Sequence, residues 1–261
     1  MPKATDYPSA EFVKVMFIGA SGAGKTGALA PLLRDGYTLK FLDMDNGLDA
    51  LINIARDMGP KYLEQIEFQT FRDKLKMTAQ GTKTDGPPRA YANAMAALEK
   101  WPDDQSNPAE WGAKTILVID SLTNLGRAAF LWAKAIDPAN KDPRRWYKTA
   151  QDLLDDLLAN VTSEGFRTNV IVISHIELTD MKDGSVKGFP SAIGQALGPK
   201  IARNFNTLLL SETVGQGKNV KRKIKTVPTA LIDAKNPAST RIDAEYNIED
   251  GMSLIFKKLK G

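Results

Sequence analysis

Apolar residues fall along this chain in two patterns. Short, nearly unbroken apolar runs occur at 12–19 (FVKVMFIG), 39–44 (LKFLDM), 115–120 (TILVID), 169–175 (NVIVISH) and 207–212 (TLLLSE). Runs of this length without polar alternation predict strands buried on both faces, as in a parallel sheet. Between them the spacing changes to that of helices. Leu48, Leu51, Ile52 and Ala55 share one face of 48–58, and Leu153, Leu154, Leu157, Leu158 and Val161 form a stripe along 143–163. Segments 91–101 and 122–135 also read as helical, and 66–71 as a short strand. Strands alternating with helices predict an α/β fold with a mostly parallel central sheet flanked by helices. Two further strands, 221–226 and 229–234 around Pro228, are expected as antiparallel additions at one edge near the C-terminus. The polar segments 72–88, 102–108 and 177–198 read as loops, the last with Gly184, Gly188, Gly194 and Gly198. Residues 1–11 read as an arm and 12–261 as one domain, without internal repeats.

Composition narrows the chemistry. Of 261 residues 43% are hydrophobic, enough for a sizeable core. No stretch approaches the roughly 18 apolar residues of a membrane span, and the first residues lack a signal-peptide pattern. With no cysteine, disulfides and thiolate metal sites are excluded, and one histidine excludes a histidine-rich metal site. A cytoplasmic location is expected. The net charge is only +4, yet basic residues crowd two late stretches, 218–225 (KNVKRKIK) and 257–260 (KKLK), which suit either nucleic acid or a solvated face.

The strongest signal is GASGAGKT at 19–26, placed after a predicted strand and before a predicted helix. That is the context a phosphate-binding loop requires. Gly19, Gly22 and Gly24 let backbone N–H groups curl around a polyphosphate, helped by Ser21, Ala23 and the helix start at Gly27. Lys25 supplies charge for the β and γ phosphates, and Thr26 a hydroxyl for Mg²⁺. The chain is therefore expected to bind a nucleoside triphosphate. Asp120, at the exit of a buried strand, is expected at the same Mg²⁺ site as Thr26. Asp43 and Asp45 form an acidic turn after another strand, and His175 ends a third; strand C-terminal ends are where open α/β sheets bind ligands.

In this order the landmarks resemble the RecA-like recombination ATPases, and in particular small phage nucleotide-binding proteins of that superfamily that act in single-strand annealing. Four segments carry the resemblance: the phosphate loop, FLDMDNGLDA at 41–50, ILVIDSLTNL at 116–125 and VIVISHI at 170–176. The resemblance implies ATP and Mg²⁺ as cofactors and hydrolysis to ADP and phosphate. Asp45 stands where the family has a water-orienting glutamate, and His175 where it has a γ-phosphate sensor. Loop 177–198 matches the position of a DNA-binding loop, so Lys182, Lys187 and Phe189, with Lys200 and Arg203 just beyond, are expected to meet single-stranded DNA. Lys235 resembles a lysine reaching a neighbouring subunit's nucleotide, with Arg241 as a substitute for the second lysine that Pro237 displaces. Self-association into a ring or filament is implied, with a single-strand DNA-binding protein as a further partner and the host cytoplasm as the place of action. Two alternatives stay open: a nucleotide-gated switch or DNA-packaging component with weak turnover, and a small-molecule P-loop kinase.

Overall fold

In this computed structural model the described residues are 11–261 except Gln216; the arm expected at 1–11 falls almost wholly outside them. The chain runs β1 (Lys14–Gly19), α1 (Ala30–Arg34), β2 (Thr38–Asp43), α2 (Asp49–Met58), β3 (Ile66–Thr70), β4 (Leu75–Thr78), β5 (Gly81–Thr84), α3 (Ala90–Glu99) and β6 (Gly112–Asp120). It continues with α4 (Leu122–Ile136), α5 (Pro143–Thr162), β7 (Thr168–Ser174), β8 (Ile176–Asp180), β9 (Val186–Pro190), α6 (Gly198–Ile201), β10 (Thr207–Val214), β11 (Lys221–Lys225), β12 (Glu245–Asn247) and α7 (Gly251–Lys260).

The main sheet has eight strands in the order β12-β11-β10-β1-β7-β6-β2-β3. From β10 to β3 neighbours are parallel, while β11 and β12 add antiparallel strands at one edge. This is the architecture the apolar runs predict. Side-chain alternation divides each central strand between two cores. Met16, Ile18, Leu117, Ile119, Val170 and Val172 face the layer containing α3, α4 and α5. Val15, Phe17, Ile116, Val118, Ile171 and Ile173 face the layer of α1, α2 and α7. Both faces are thus covered, which is why these strands carry no polar alternation. Helix α5 starts at Pro143, with Asp142 accepting from Arg144 N at 3.0 Å as its cap.

Three local expectations are corrected, and the surroundings of one basic stretch are added. Segment 72–88 is not simply a loop, because β4 and β5 pair as an exposed hairpin. Likewise 177–198 contains most of a second hairpin, β8 with β9, followed by α6. Conversely, 229–234 forms no strand. Pro228 offers no N–H, and only isolated bridges form there, Gly188 with Ile232 and Leu208 with Lys235. Finally, the basic stretch 257–260 closes α7, where cations suit the helix C-terminus. Its lysines are largely engaged: Lys257 pairs with Asp35 at 2.6 Å, Lys258 with Asp243 at 2.7 Å, and Lys260 donates to Ala113 O at 3.1 Å. Among the described residues no helix is long and apolar enough to cross a membrane.

Candidate nucleotide site

The parallel strands β1, β7, β6 and β2 end at one sheet edge, and that edge gathers the charged residues singled out in the sequence. Asp43 is in register with Asp120, and Ser174, at the end of β7, is in register with Ile18. The loop after β1 turns at Gly22 (φ 75°) and Gly24 (φ 87°), left-handed conformations that glycine adopts without a Cβ penalty. Gly19 is needed for a different reason: a Cβ there would stand 2.7 Å from Ser211 O. Ser211 of β10 also donates to Ala23 O at 2.8 Å, anchoring the loop from its outer side. Gly27 opens a short 3-10 turn that leads into α1, and Ser21 is exposed.

Lys25 is buried, and its Nζ donates to Gly19 O and Ala20 O at 2.9 Å each. An ammonium has three donors, so one remains. Burial lowers the Lys25 pKa, while the carboxylates of Asp120 and Asp45 pull it back up. Thr26 Oγ1 donates to Asp120 Oδ2 at 2.7 Å. Asp120 is buried, and chiefly because of that its carboxyl is pushed up to about 6, despite the Thr26 hydrogen bond and with Asp45 and Asp43 adding like charge. A buried carboxylate in this state favours a cation beside it. The donor atoms are a hydroxyl and carboxylate oxygens, the set a hard dication such as Mg²⁺ takes. Mg²⁺ keeps several water and phosphate ligands, so it does not need the cluster of three acidic or histidine ligands that is absent among the described residues. The residues fit Mg²⁺.

Asp43 and Asp45 have different tasks. Asp43 is buried; its Oδ1 accepts from Asp45 N (3.1 Å) and Asn46 N (2.8 Å), and its Oδ2 from Thr70 Oγ1 (2.8 Å). It therefore shapes the turn that presents Asp45. Asp45 Oδ1 accepts from Ser121 N (3.2 Å), Ser121 Oγ (2.8 Å) and Asn124 Nδ2 (2.7 Å). All these bonds fall on one oxygen, and Oδ2 is left to meet another group. The Asp120–Ser121 peptide, which Asp45 touches, is cis.

His175 follows β7 directly and is half-buried; burial first, then the charge of Lys25, lower its pKa, with Asp45 opposing. The His175 backbone N donates to Thr123 Oγ1 at 3.1 Å, and Thr123 Oγ1 donates to Ser191 O at 3.0 Å. Ser174 Oγ also donates to Ser191 O at 2.6 Å, and Ser191 N to His175 O at 2.8 Å. Both ends of the β8–β9 hairpin are therefore tied to the first turn of α4, the helix that begins beside Asp120.

The residues expected at DNA divide between two places. Lys182 is exposed near the hairpin turn, and Lys187 and Phe189 lie two apart on β9, both half-buried. Phe189 packs close to Gly198 of α6. Lys200 lines a groove of about 350 Å³ against Arg144, Tyr147 and Lys148 of α5, and Arg203 is ion-paired with Asp155. Lys235 makes its contacts at the start of β10 and not at the phosphate loop. It bridges to Leu208, three residues before Ser211, and its Nζ donates to Ala202 O at 2.5 Å. Arg241 borders a second groove with Lys14 and Arg167.

Sequence reasoning missed Ser211, Thr123, Asn124 and Arg222, whose Nε donates to Gly22 O at 3.2 Å. A serine ending an apolar run, and Thr-Asn three and four residues after Asp120, were the available signals.

A phosphate loop at the end of β1, a threonine–aspartate pair and helices on both faces of a parallel sheet define a P-loop ATPase. The chain belongs to the AAA domain family, whose model matches residues 11–238. No curated protein matches it in sequence. Among solved structures it is similar to the RadB recombinase (15% identity, 82% of this chain and 80% of that one, TM-score 0.45). It is also similar to a KaiC-like protein of the hyperthermophilic archaeon Pyrococcus horikoshii OT3 (13%, 82% and 79%, TM-score 0.41). An ATPase from the type III secretion system of pathogenic bacteria is similar over 77% of this chain and 52% of that one, at 14% identity and TM-score 0.45.

Proposed function

We propose that this protein is a Mg²⁺-dependent ATPase that binds single-stranded DNA and self-associates, acting in recombination or strand annealing of the phage type. The observation that carries the ATPase reading is the Thr26–Asp120 hydrogen bond beside Lys25, with Asp45 held over the same sheet edge. Mg²⁺ held by Thr26 and Asp120 would neutralise charge on the β and γ phosphates. Backbone N–H groups of residues 22–27 and Lys25 hold the phosphates. Asp45 Oδ2 accepts a hydrogen bond from the attacking water, while Ser121 and Asn124 fix its other oxygen. Water adds to the γ-phosphorus as the bond to the bridging oxygen breaks, giving ADP and phosphate. His175 donates one ring N–H to the γ-phosphate end.

The DNA reading rests on position. Hairpin 176–190 starts one residue after His175 and carries Lys182, Lys187 and Phe189. Lysines meet phosphates and an aromatic ring stacks on bases, the sequence-tolerant mode of single-strand binding. Lys235, whose bonds are to Leu208 and Ala202 and not to its own phosphate loop, suits a neighbour's nucleotide across a subunit junction. ATP hydrolysis measured with and without single-stranded DNA, and with a panel of small phosphoryl acceptors, tests the reading. DNA stimulation supports it. Acceptor phosphorylation would replace it with a kinase, and binding without turnover in either case with a switch.

A further inference from the structure

Strand β11, second from the edge of the sheet, divides its side chains between two tasks. On one face Lys223 and Lys225 are ion-paired with Glu245 and Glu212. On the other, Ile224 is buried against Gly251 of α7. Arg222 shares the Ile224 face by strand alternation. It sits opposite Thr213, two residues beyond Ser211, and Ser211 is itself in register with Gly19 at the start of the phosphate loop. The antiparallel edge therefore delivers Arg222 to the ligand-binding end of the sheet. Its Nε donates to Gly22 O at 3.2 Å. A Cβ on Gly24 would stand 2.9 Å from Arg222 Cδ and 3.0 Å from Ile248 Cδ1, so this arginine and Ile248 lie directly against the loop.

A guanidinium has five N–H donors, and the loop carbonyl uses one. Among the described residues no carboxylate pairs with Arg222, unlike its neighbours Lys223 and Lys225, and the side chain is exposed. The site's charge balance gives that guanidinium a use. Asp43, Asp45 and Asp120 converge at the sheet edge, and Lys25 already has two of its three donors on loop carbonyls. A triphosphate brought to this place needs further positive charge.

We propose that Arg222 is a polyphosphate-binding residue of the nucleotide site, supplied by an antiparallel strand of the same chain, with Ile248 closing the outer side of the loop. This rests on the nucleotide reading above. It also removes Arg222 from the basic stretch available to DNA.

The test is equilibrium binding of a fluorescent ATP analogue, displaced in turn by ATP, inorganic tripolyphosphate and adenosine. The proteins are the wild type, Arg222→Met, Arg222→Lys and Lys25→Ala. A charge-assisted hydrogen-bonding contact predicts that Arg222→Met loses roughly ten- to a hundredfold in affinity for ATP and tripolyphosphate. Adenosine should displace equally from both proteins, and Arg222→Lys should keep part of the affinity. If ATP affinity in Arg222→Met equals wild type while Lys25→Ala has lost it, the nucleotide site stands and the proposal falls. Equal losses for tripolyphosphate and adenosine would assign Arg222 to the shape of the loop only, and also overturn it. Failure of the wild type to bind ATP removes the nucleotide reading and the proposal together. Thermal unfolding of each variant checks the fold; if Arg222→Met unfolds, Arg222→Gln decides on the same criteria.

Discussion

Thr26 Oγ1 and Asp120 Oδ2 share a hydrogen bond of 2.7 Å across 94 residues of sequence. It joins the phosphate loop after β1 to the end of β6, although β7 lies between these strands. The bond holds a buried carboxylate, so function and stability oppose each other at this position. Asp120→Asn keeps the shape and an acceptor for Thr26 but removes the buried charge. Without nucleotide the variant should unfold at an equal or higher temperature than the wild type at pH 7.5. The protection that Mg²⁺-ATP gives the wild type should be lost. Thermal unfolding with and without Mg²⁺-ATP checks both halves, and full protection in the variant would contradict the metal assignment.

Asp45 and Asn124 separate chemistry from positioning. Asp45→Asn should bind Mg²⁺-ATP near wild-type affinity and lose turnover by about 10²–10⁴-fold, because a water-orienting carboxylate acts mainly in the transition state. Asn124→Ala removes one of three bonds to Asp45 Oδ1 and should lower kcat less, with KM little changed. Equal loss of ATP binding in Asp45→Asn and Asp120→Asn, measured by calorimetry, would reassign Asp45 to the metal.

Thr123 ties both ends of the β8–β9 hairpin to α4. Thr123→Val preserves shape and deletes its bonds to His175 N and Ser191 O. His175 N, part-buried, is left without its partner, which costs about 1–3 kcal/mol, while Ser191 O keeps the bond from Ser174 Oγ. Amide hydrogen exchange should then rise in 176–191 and stay unchanged in β1 and β6. Basal ATP hydrolysis should fall less than its stimulation by DNA, and Thr123→Ser should restore both. Uniformly faster exchange would reduce Thr123 to a general packing role.

Lys235 is expected to act on a neighbour's nucleotide. Lys235→Ala and Lys25→Ala subunits, each inactive alone, should recover part of the hydrolysis when mixed, because mixed junctions contain one intact site. Absence of recovery at every ratio, with co-assembly confirmed by sedimentation, would count against a shared site. The bond from Lys235 Nζ to Ala202 O would then be its whole role.

What could be read from the sequence was local. The glycine-lysine-threonine loop and the aspartate ending an apolar run each declare themselves within a few residues, and the five main parallel strands follow from nearly unbroken apolar runs. Contacts that depend on strand order could not be read this way. Ser211, Arg222 and Ile248 reach the loop only because β10, β11 and β12 lie on the outer side of β1. Asp45 finds Ser121 and Asn124 because β2 is next to β6. The two hairpins were read as loops because β4 and β5 are almost wholly exposed and β8 and β9 are interrupted by polar residues and Gly188. Helix α7 was obscured by its lysines, although Met252, Ile255 and Phe256 on its other side are buried in the core.

The central claim is that residues 19–27 with Asp120 hold a Mg²⁺-nucleoside triphosphate. Isothermal titration of ATP into wild type and Lys25→Ala, each with Mg²⁺ and with EDTA, tests it most directly. The account predicts saturable, Mg²⁺-dependent binding to wild type, weakened at least tenfold in a folded Lys25→Ala variant. Indistinguishable binding in the two proteins, or binding indifferent to Mg²⁺, would contradict it.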